Sequence, residues 1–281
     1  MRWKKGRRSQ NIDDRRGQQM RRAGGIGGGA VVIALLAAVF LGQNPATILE
    51  QLGGLGGTTS QVPDQRQTAA SDEAADFVSV VLADTEDVWN KIFEGAGSRY
   101  SPPQLVLYSG ATRTDACGLG QAAAGPFYCP GDYKVYIDLS FLNELKRLGA
   151  PGDFAFAYVI AHEVGHHIQN LVGTATEVRQ AQQRSSKRDQ NALQVMMELQ
   201  ADCYAGVWAH HAHRDRQVLE EGDVEEGLAA AASVGDDRLQ QSAGRRVHPE
   251  SFTHGSSEQR AQWFYAGLES GSVNACDTFS G

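Results

Sequence analysis

Phe154 to Val172 reads FAFAYVIAHEVGHHIQNLV. Phe156, Val159, Ile160, Val164 and Ile168 recur at helical spacing, Asp153 can cap the start and Gly173 can stop it, so a helix is predicted here. Within it, His162-Glu163-Val164-Gly165-His166 is an H-E-x-x-H motif. Residues four apart share one helix face, with Cβ atoms roughly 5–6 Å apart. Both imidazoles can therefore present a nitrogen to one cation, at about 2.0–2.1 Å if it is zinc. Glu163, next to the first ligand, can serve as general base toward a water on that metal. The blander alternative is a buried helix whose histidines are only hydrogen-bonded.

A second stretch, Met197-Glu198-Leu199-Gln200-Ala201-Asp202, shifts the balance toward the metal. Catalytic zinc takes three protein ligands and leaves a position for water, and Glu198 is a natural third ligand from a downstream helix. Asp202, one turn further on the same face, can accept the outer N–H of a zinc histidine and hold its ring. Both could instead be surface carboxylates. A metzincin pattern is excluded, because Gln169 and Val172 stand where its Gly and His would be. His167 points about 100° away from His166 around the helix, toward an outer-shell or exposed position.

The chain is similar to a known family, the YpfJ-type neutral zinc metallopeptidases of bacteria. The residues that carry the likeness are the basic start and apolar run, Cys117-Gly118 through Gly125-Pro126-Phe127-Tyr128-Cys129-Pro130, and Val135-Tyr136-Ile137-Asp138-Leu139. It continues through Ala161-His162-Glu163-Val164-Gly165-His166, Glu198-Leu199-Gln200-Ala201-Asp202-Cys203 and Phe252-Thr253-His254-Gly255-Ser256-Ser257-Glu258-Gln259-Arg260. The resemblance implies a gluzincin-like, membrane-anchored protease. The fold class expected is α+β, a zincin-like domain, mostly helical with a small sheet, behind one transmembrane helix. It brings no substrate with it.

The net charge of −7 over 281 residues hides an asymmetry, since residues 1–22 carry +7 and the rest −14. An acidic body argues against nucleic acid as a partner. Residues 24–42 carry no charge and are dense in Ala, Val, Ile and Leu from Ala30 to Leu41, close to the ~20 residues of a membrane helix. Lys and Arg precede this run and none follow soon, which predicts an N-terminus inside and the remainder outside the cytoplasmic membrane. A cleaved signal peptide has the same order, but the basic region is long and no small-x-small site is clear. The expected layout is a basic cytoplasmic head (1–23), a transmembrane signal anchor (24–42), a flexible Gly/Thr/Ser/Gln linker (43–70) and a zinc metallopeptidase domain (71–281). That is a bacterial inner-membrane, single-pass protein with its catalytic domain outside the cytoplasm.

Within the domain, 72–93 reads as an amphipathic helix and 104–108 as a strand. The alternating 134–139 is a strand that a peptide substrate could pair with, or a purely structural one. A short helix is expected over 140–148, a polar segment over 174–188, the second ligand helix over 190–214, and an Ala-rich helix after Asp223. Residues 235–255 read as irregular, before a capped helix from Ser256. His210, His211 and His213 look like a metal cluster, but histidine also suits a helix C-terminus. The four cysteines are expected to be oxidised, as an extracytoplasmic location permits: Cys117 with Cys129 and, by elimination, Cys203 with Cys276. Cysteine ligation of zinc is the alternative, without a C-x-x-C to support it.

The function expected is metalloendopeptidase action on a peptide or protein substrate, with Zn2+ as cofactor. A membrane-tethered scaffold with a structural zinc is the alternative, and the intact Glu163 argues against it. An amidase of cell-wall peptides would share the chemistry. His254, in a loop before a capped helix, is the candidate donor to the developing oxyanion. Its other reading is a loop histidine that orders the helix start, and Tyr204 and Tyr265 are rival donors expected to be buried.

Overall fold

Residues 1–17, 65–121 and 125–280 are described by the computed structural model, side chains of 65–71 excepted. The apolar run 24–42 and most of the linker lie outside the described residues. Among those described, no helix is long and apolar enough to cross a membrane. Met1–Gly17 and Ser71–Gly281 form one compact unit, with Gln18–Ala70 set off as another.

The order of elements is β1 (Ile12–Asp14), α1 (Gln65–Gly95), β2 (Gln104–Tyr108), β3 (Ala111–Arg113), β4 (Leu119–Gln121), β5 (Phe127–Cys129) and β6 (Lys134–Asp138). Helices α2 (Phe141–Arg147), α3 (Asp153–Leu171), α4 (Thr174–Gln182), α5 (Lys187–Arg216), α6 (Asp223–Ser233), α7 (Asp236–Ser242) and α8 (Ser257–Ser270) follow. This is an α+β architecture dominated by helices. The sheet runs β1-β2-β6-β5, with β1, β2 and β6 parallel and β5 antiparallel to β6. A two-stranded ladder, β3-β4, stands apart.

Side chains alternate across the sheet plane. Leu105, Leu107, Val135 and Ile137 therefore join the main core with Phe154, Phe156 and Ile160 of α3, while Val106, Tyr108 and Tyr136 pack on the other face. Helix α3 is buried over almost its whole length because α5 and α6 pack against it. Two glycine contacts set the helix spacing. A Cβ at Gly165 would stand 2.9 Å from the Ala201 carbonyl oxygen, and one at Gly206 would stand 2.1 Å from that of Phe264. Only a hydrogen atom at these positions lets α3 approach α5, and α5 approach α8, this closely.

Three expectations change. Strand β6 lies between β2 and β5, so over Lys134–Tyr136, where β5 pairs with it, no peptide can add; among the described residues β5 is the edge. The stretch 235–255 contains α7 and a 3-10 turn, Pro249–Ser251. Helix α7 is too short to form alone, and it is held because Asp236 and Asp237 accept backbone N–H groups from 253, 254 and 257. The basic head is not a separate element either. Arg7 pairs with Glu86 and Asp87, Arg8 with Asp76, and Ile12–Asp14 form the strand beside β2. Lys4 also faces Glu73 of α1, while Arg15 and Arg16 pair with Asp13 and Asp14 of the head itself.

The disulfides are Cys117–Cys129 and Cys203–Cys276. The second joins α5 to the C-terminal tail and closes 73 residues of chain. Loop-closure entropy for that length gives about 4 kcal/mol. Replacing both Cys203 and Cys276 by Ala is expected to lower the denaturation free energy by that amount. Replacing the short-loop pair Cys117 and Cys129 should cost less, and urea titration of the two variants checks the order.

Candidate metal centre

Helix α3 and helix α5 meet at the glycine contact, and three electron-rich atoms converge there. His162 Nε2 lies 3.2 Å and His166 Nε2 3.6 Å from the same oxygen, Glu198 Oε2. All three ligand atoms lie within 4.8 Å of one another. Arms of 2.0–2.1 Å in tetrahedral array put neighbouring donors about 3.3–3.4 Å apart, so the spacing suits zinc.

The outer atoms fix which ring nitrogen faces inward. His162 Nδ1 lies 2.8 Å from Asp202 Oδ1, and His166 Nδ1 lies 2.9 Å from Gln169 Oε1. Both partners are acceptors, so each Nδ1 carries the proton and each Nε2 turns a lone pair toward Glu198. Gln194 Nε2 donates to Glu198 Oε1 at 2.9 Å, leaving Oε2 for the centre. Two lone pairs and a carboxylate oxygen in a buried pocket repel one another unless a cation sits among them. Without a metal, protons must take that role. Burial opposes charge on His162, yet the Asp202 carboxylate outweighs it and raises the pKa to about 9. Burial likewise works against the Glu198 anion, and the His166 and His162 rings overcome it, holding its carboxyl well below the usual range.

Asp202 is itself enclosed. Arg260 donates through Nε to its Oδ2 at 2.8 Å and through Nη2 to its Oδ1 at 2.9 Å, and the Tyr158 hydroxyl donates to the same Oδ1. Arg260 also donates to the Tyr158 oxygen at 3.2 Å. Behind His166, Gln169 Nε2 donates to the Met197 carbonyl at 2.7 Å and to Gln200 Oε1 at 3.1 Å. Tyr158 and Gln169 share the ligand face of α3 at spacings of four and three residues, a signal the sequence contained. Arg260 arrives from α8, and no local pattern reveals it.

A cavity of about 540 Å³ opens beside the ligands, lined by Glu163, His254 and Arg260 together with Phe127, Tyr128 and Val159. Glu163 is buried, and that burial raises its carboxyl above the ordinary range despite the neighbouring His162 and His166. His254 is half exposed. Asp236 fixes it twice, with Oδ2 accepting from the His254 backbone N–H at 2.6 Å and Oδ1 lying 3.1 Å from Nδ1. This bond raises the His254 pKa against the effect of burial.

The other histidines lie elsewhere. His167 is buried, with Nδ1 3.0 Å from the Tyr128 hydroxyl and Nε2 2.7 Å from the Ser101 carbonyl. Burial pushes it down to about 4; it ties α3 to β5 and does not reach the centre. His210 and His211 bond the carbonyls of Leu268 and Gly271 at 2.8 Å each, and His213 Nδ1 accepts the Leu219 N–H. They finish helix ends and gather no metal. Tyr204 is buried as expected, Tyr265 is exposed instead, and neither lines the cavity. A second carboxylate group, Asp153, Asp223 and Glu226, lies apart from the centre. Its Asp153 and Asp223 face the Met1 ammonium at 2.7 and 3.3 Å.

The family model described as "putative neutral zinc metallopeptidase" matches residues 1–279. Uncharacterized protein YpfJ of Escherichia coli K12 is 50% identical over 294 aligned positions, covering 99% of each chain. Uncharacterized protein Rv2575 of Mycobacterium tuberculosis H37Rv is 39% identical over 260, covering 86% of this chain and 85% of its own. No solved structure matches.

Proposed function

We propose, from the premise that this chain belongs to the neutral zinc metallopeptidase family that its match over residues 1–279 shows, that it is a zinc-dependent endopeptidase with a gluzincin-like centre. The observation that supports this reading is the convergence of His162 Nε2, His166 Nε2 and Glu198 Oε2 at the wall of a cavity that also holds a buried Glu163. A scaffold with a structural zinc would fill a fourth position from the protein and would have no use for that carboxylate.

His162, His166 and Glu198 hold the metal, which when bound supplies Lewis acidity to the scissile carbonyl and to the attacking water. Glu163 takes the water's proton on its carboxylate, a better acceptor than usual because burial raises its pKa. It then passes that proton to the leaving amine nitrogen. Asp236 accepts from His254 Nδ1 and raises the pKa of the ring, and the imidazolium this favours donates through Nε2–H to the carbonyl oxygen as negative charge builds there. The outer edge of β5, unpaired among the described residues, receives the substrate backbone, and Phe127 and Tyr128 on that strand favour apolar side chains. The disulfides suit an oxidising space outside the cytoplasm, and the apolar run 24–42 would attach the enzyme to the outer face of the cytoplasmic membrane.

The purified chain is expected to contain one zinc by elemental analysis and to cut a random peptide library. Dialysis against a chelator should stop cleavage, and added zinc should restore it. Cleavage that survives complete removal of metal would sink the proposal. His254→Ala is expected to lower kcat/KM by about a hundredfold, the low end of losing one oxyanion donor, with zinc content and melting temperature unchanged. Turnover within a few-fold of wild type would make His254 a structural loop residue instead.

A further inference from the structure

The N-terminal segment, which the sequence places across a membrane from the rest of the chain, is built into the catalytic unit. Glu86 of α1 is a buried carboxylate, and every hydrogen bond it accepts among the described residues comes from this segment. Arg7 Nη2 donates at 2.8 Å, Ser9 Oγ at 2.5 Å and Asn11 Nδ2 at 2.8 Å. An ionised carboxylate left buried without these donors is strongly unfavourable. Strand β1 gives β2 its second neighbour, with Ile12, Asp13 and Asp14 opposite Leu105, Val106 and Leu107, and the Leu105 and Arg15 N–H groups close the ladder to Asn11 and Leu107. Without β1, the edge of a strand buried from Leu105 to Tyr108 would open to solvent. Trp3 packs edge-on against Phe77, their ring centres 5.3 Å apart. Arg8 grips Asp76 through two bonds.

We infer that residues 1–17 and the catalytic unit occupy the same compartment, so that the chain joining them crosses a membrane an even number of times or not at all. The apolar run 24–42 is long enough for a single crossing only, since each needs about 20 residues. One crossing would carry the head away from Glu86 and β2, so the arrangement with the N-terminus inside and the catalytic unit outside is incompatible with this fold. Of the basic residues that suggest it, Arg7 and Arg8 pair with Asp76, Glu86 and Asp87, and Lys4 with Glu73. This inference does not depend on the peptidase reading.

Two measurements on the full-length chain test it. Hydrogen exchange on the purified protein should show the Arg15 and Leu105 amides exchanging at least about a hundredfold more slowly than in an unfolded chain; free exchange at Arg15 would overturn the inference. Lys5→Cys and Glu269→Cys, both at exposed positions, are then labelled separately with a membrane-impermeant maleimide in intact and in lysed cells. Both are expected to label before lysis, or both only after it. Labelling of one in intact cells and of the other only after lysis would place the two ends in different compartments and overturn the inference.

Discussion

Glu163→Gln is expected to remove peptide turnover almost entirely while leaving the metal in place. The amide keeps the size of the carboxylate but has no basic oxygen to accept the proton of the attacking water, and no proton to hand to the leaving amine. General acid–base groups contribute typically 10²–10⁴-fold, and in the proposed mechanism Glu163 would serve in both halves of the reaction, so a loss near the upper end, about 10⁴, is expected. The residue lines the cavity without being one of the three converging ligands, so zinc content should match wild type. Since burial disfavours its charge, the neutral amide should be as stable or slightly more so in thermal melts. Turnover within tenfold of wild type would show that another group moves the proton.

Glu198→Ala should do the opposite, emptying the centre. Glu198 supplies the oxygen that both Nε2 atoms face, and alanine leaves two histidines that cannot complete a three-ligand set. Changing groups that merely orient ligands costs 10–100-fold in metal affinity, so the loss here should exceed about a hundredfold. Zinc competition against a chromogenic chelator reads it. The metal-free state changes as well. The carboxylate that favours protonation of His166 is removed, so that ring is expected to titrate lower in the apo variant than in the apo wild type. Equal zinc affinity in the variant and wild type would mean that the third ligand lies elsewhere.

Helices α3 and α5 were legible because their signals are local: apolar residues at helical spacing, a glycine stop, and ligands one turn apart. The same spacing marked His162, His166, Glu198 and Asp202. What was not legible depends on chain segments far apart in sequence. Arg260 matters because α8 crosses α5 where Gly206 lets it close in, and nothing within α8 announces that partner. Gly165 looks like filler between two ligands, yet it is the point of contact with Ala201. Strand β6 is legible as a strand, but alternation leaves open whether it pairs with a peptide or is purely structural, because it reports which faces are buried and says nothing of strand order. A run of Arg and Lys before an apolar segment reads as a topology signal, and only the fold shows that Arg7 and Arg8 have Asp and Glu partners on α1.

Asp202 serves two cationic neighbours at once. It accepts from His162 on one side and from Arg260 on the other, while Gln200, in contact with the His166 support, donates to the Cys276 carbonyl at 3.0 Å. Both candidate ligand histidines are thus steadied by residues far downstream in the chain. During synthesis the H-E-x-x-H helix emerges long before Arg260 and Cys276, so a nascent or truncated chain carries the ligands without the scaffolding that orients them. On the proposed metal reading, capture would await the arrival of Arg260 and Cys276 beside the ligands.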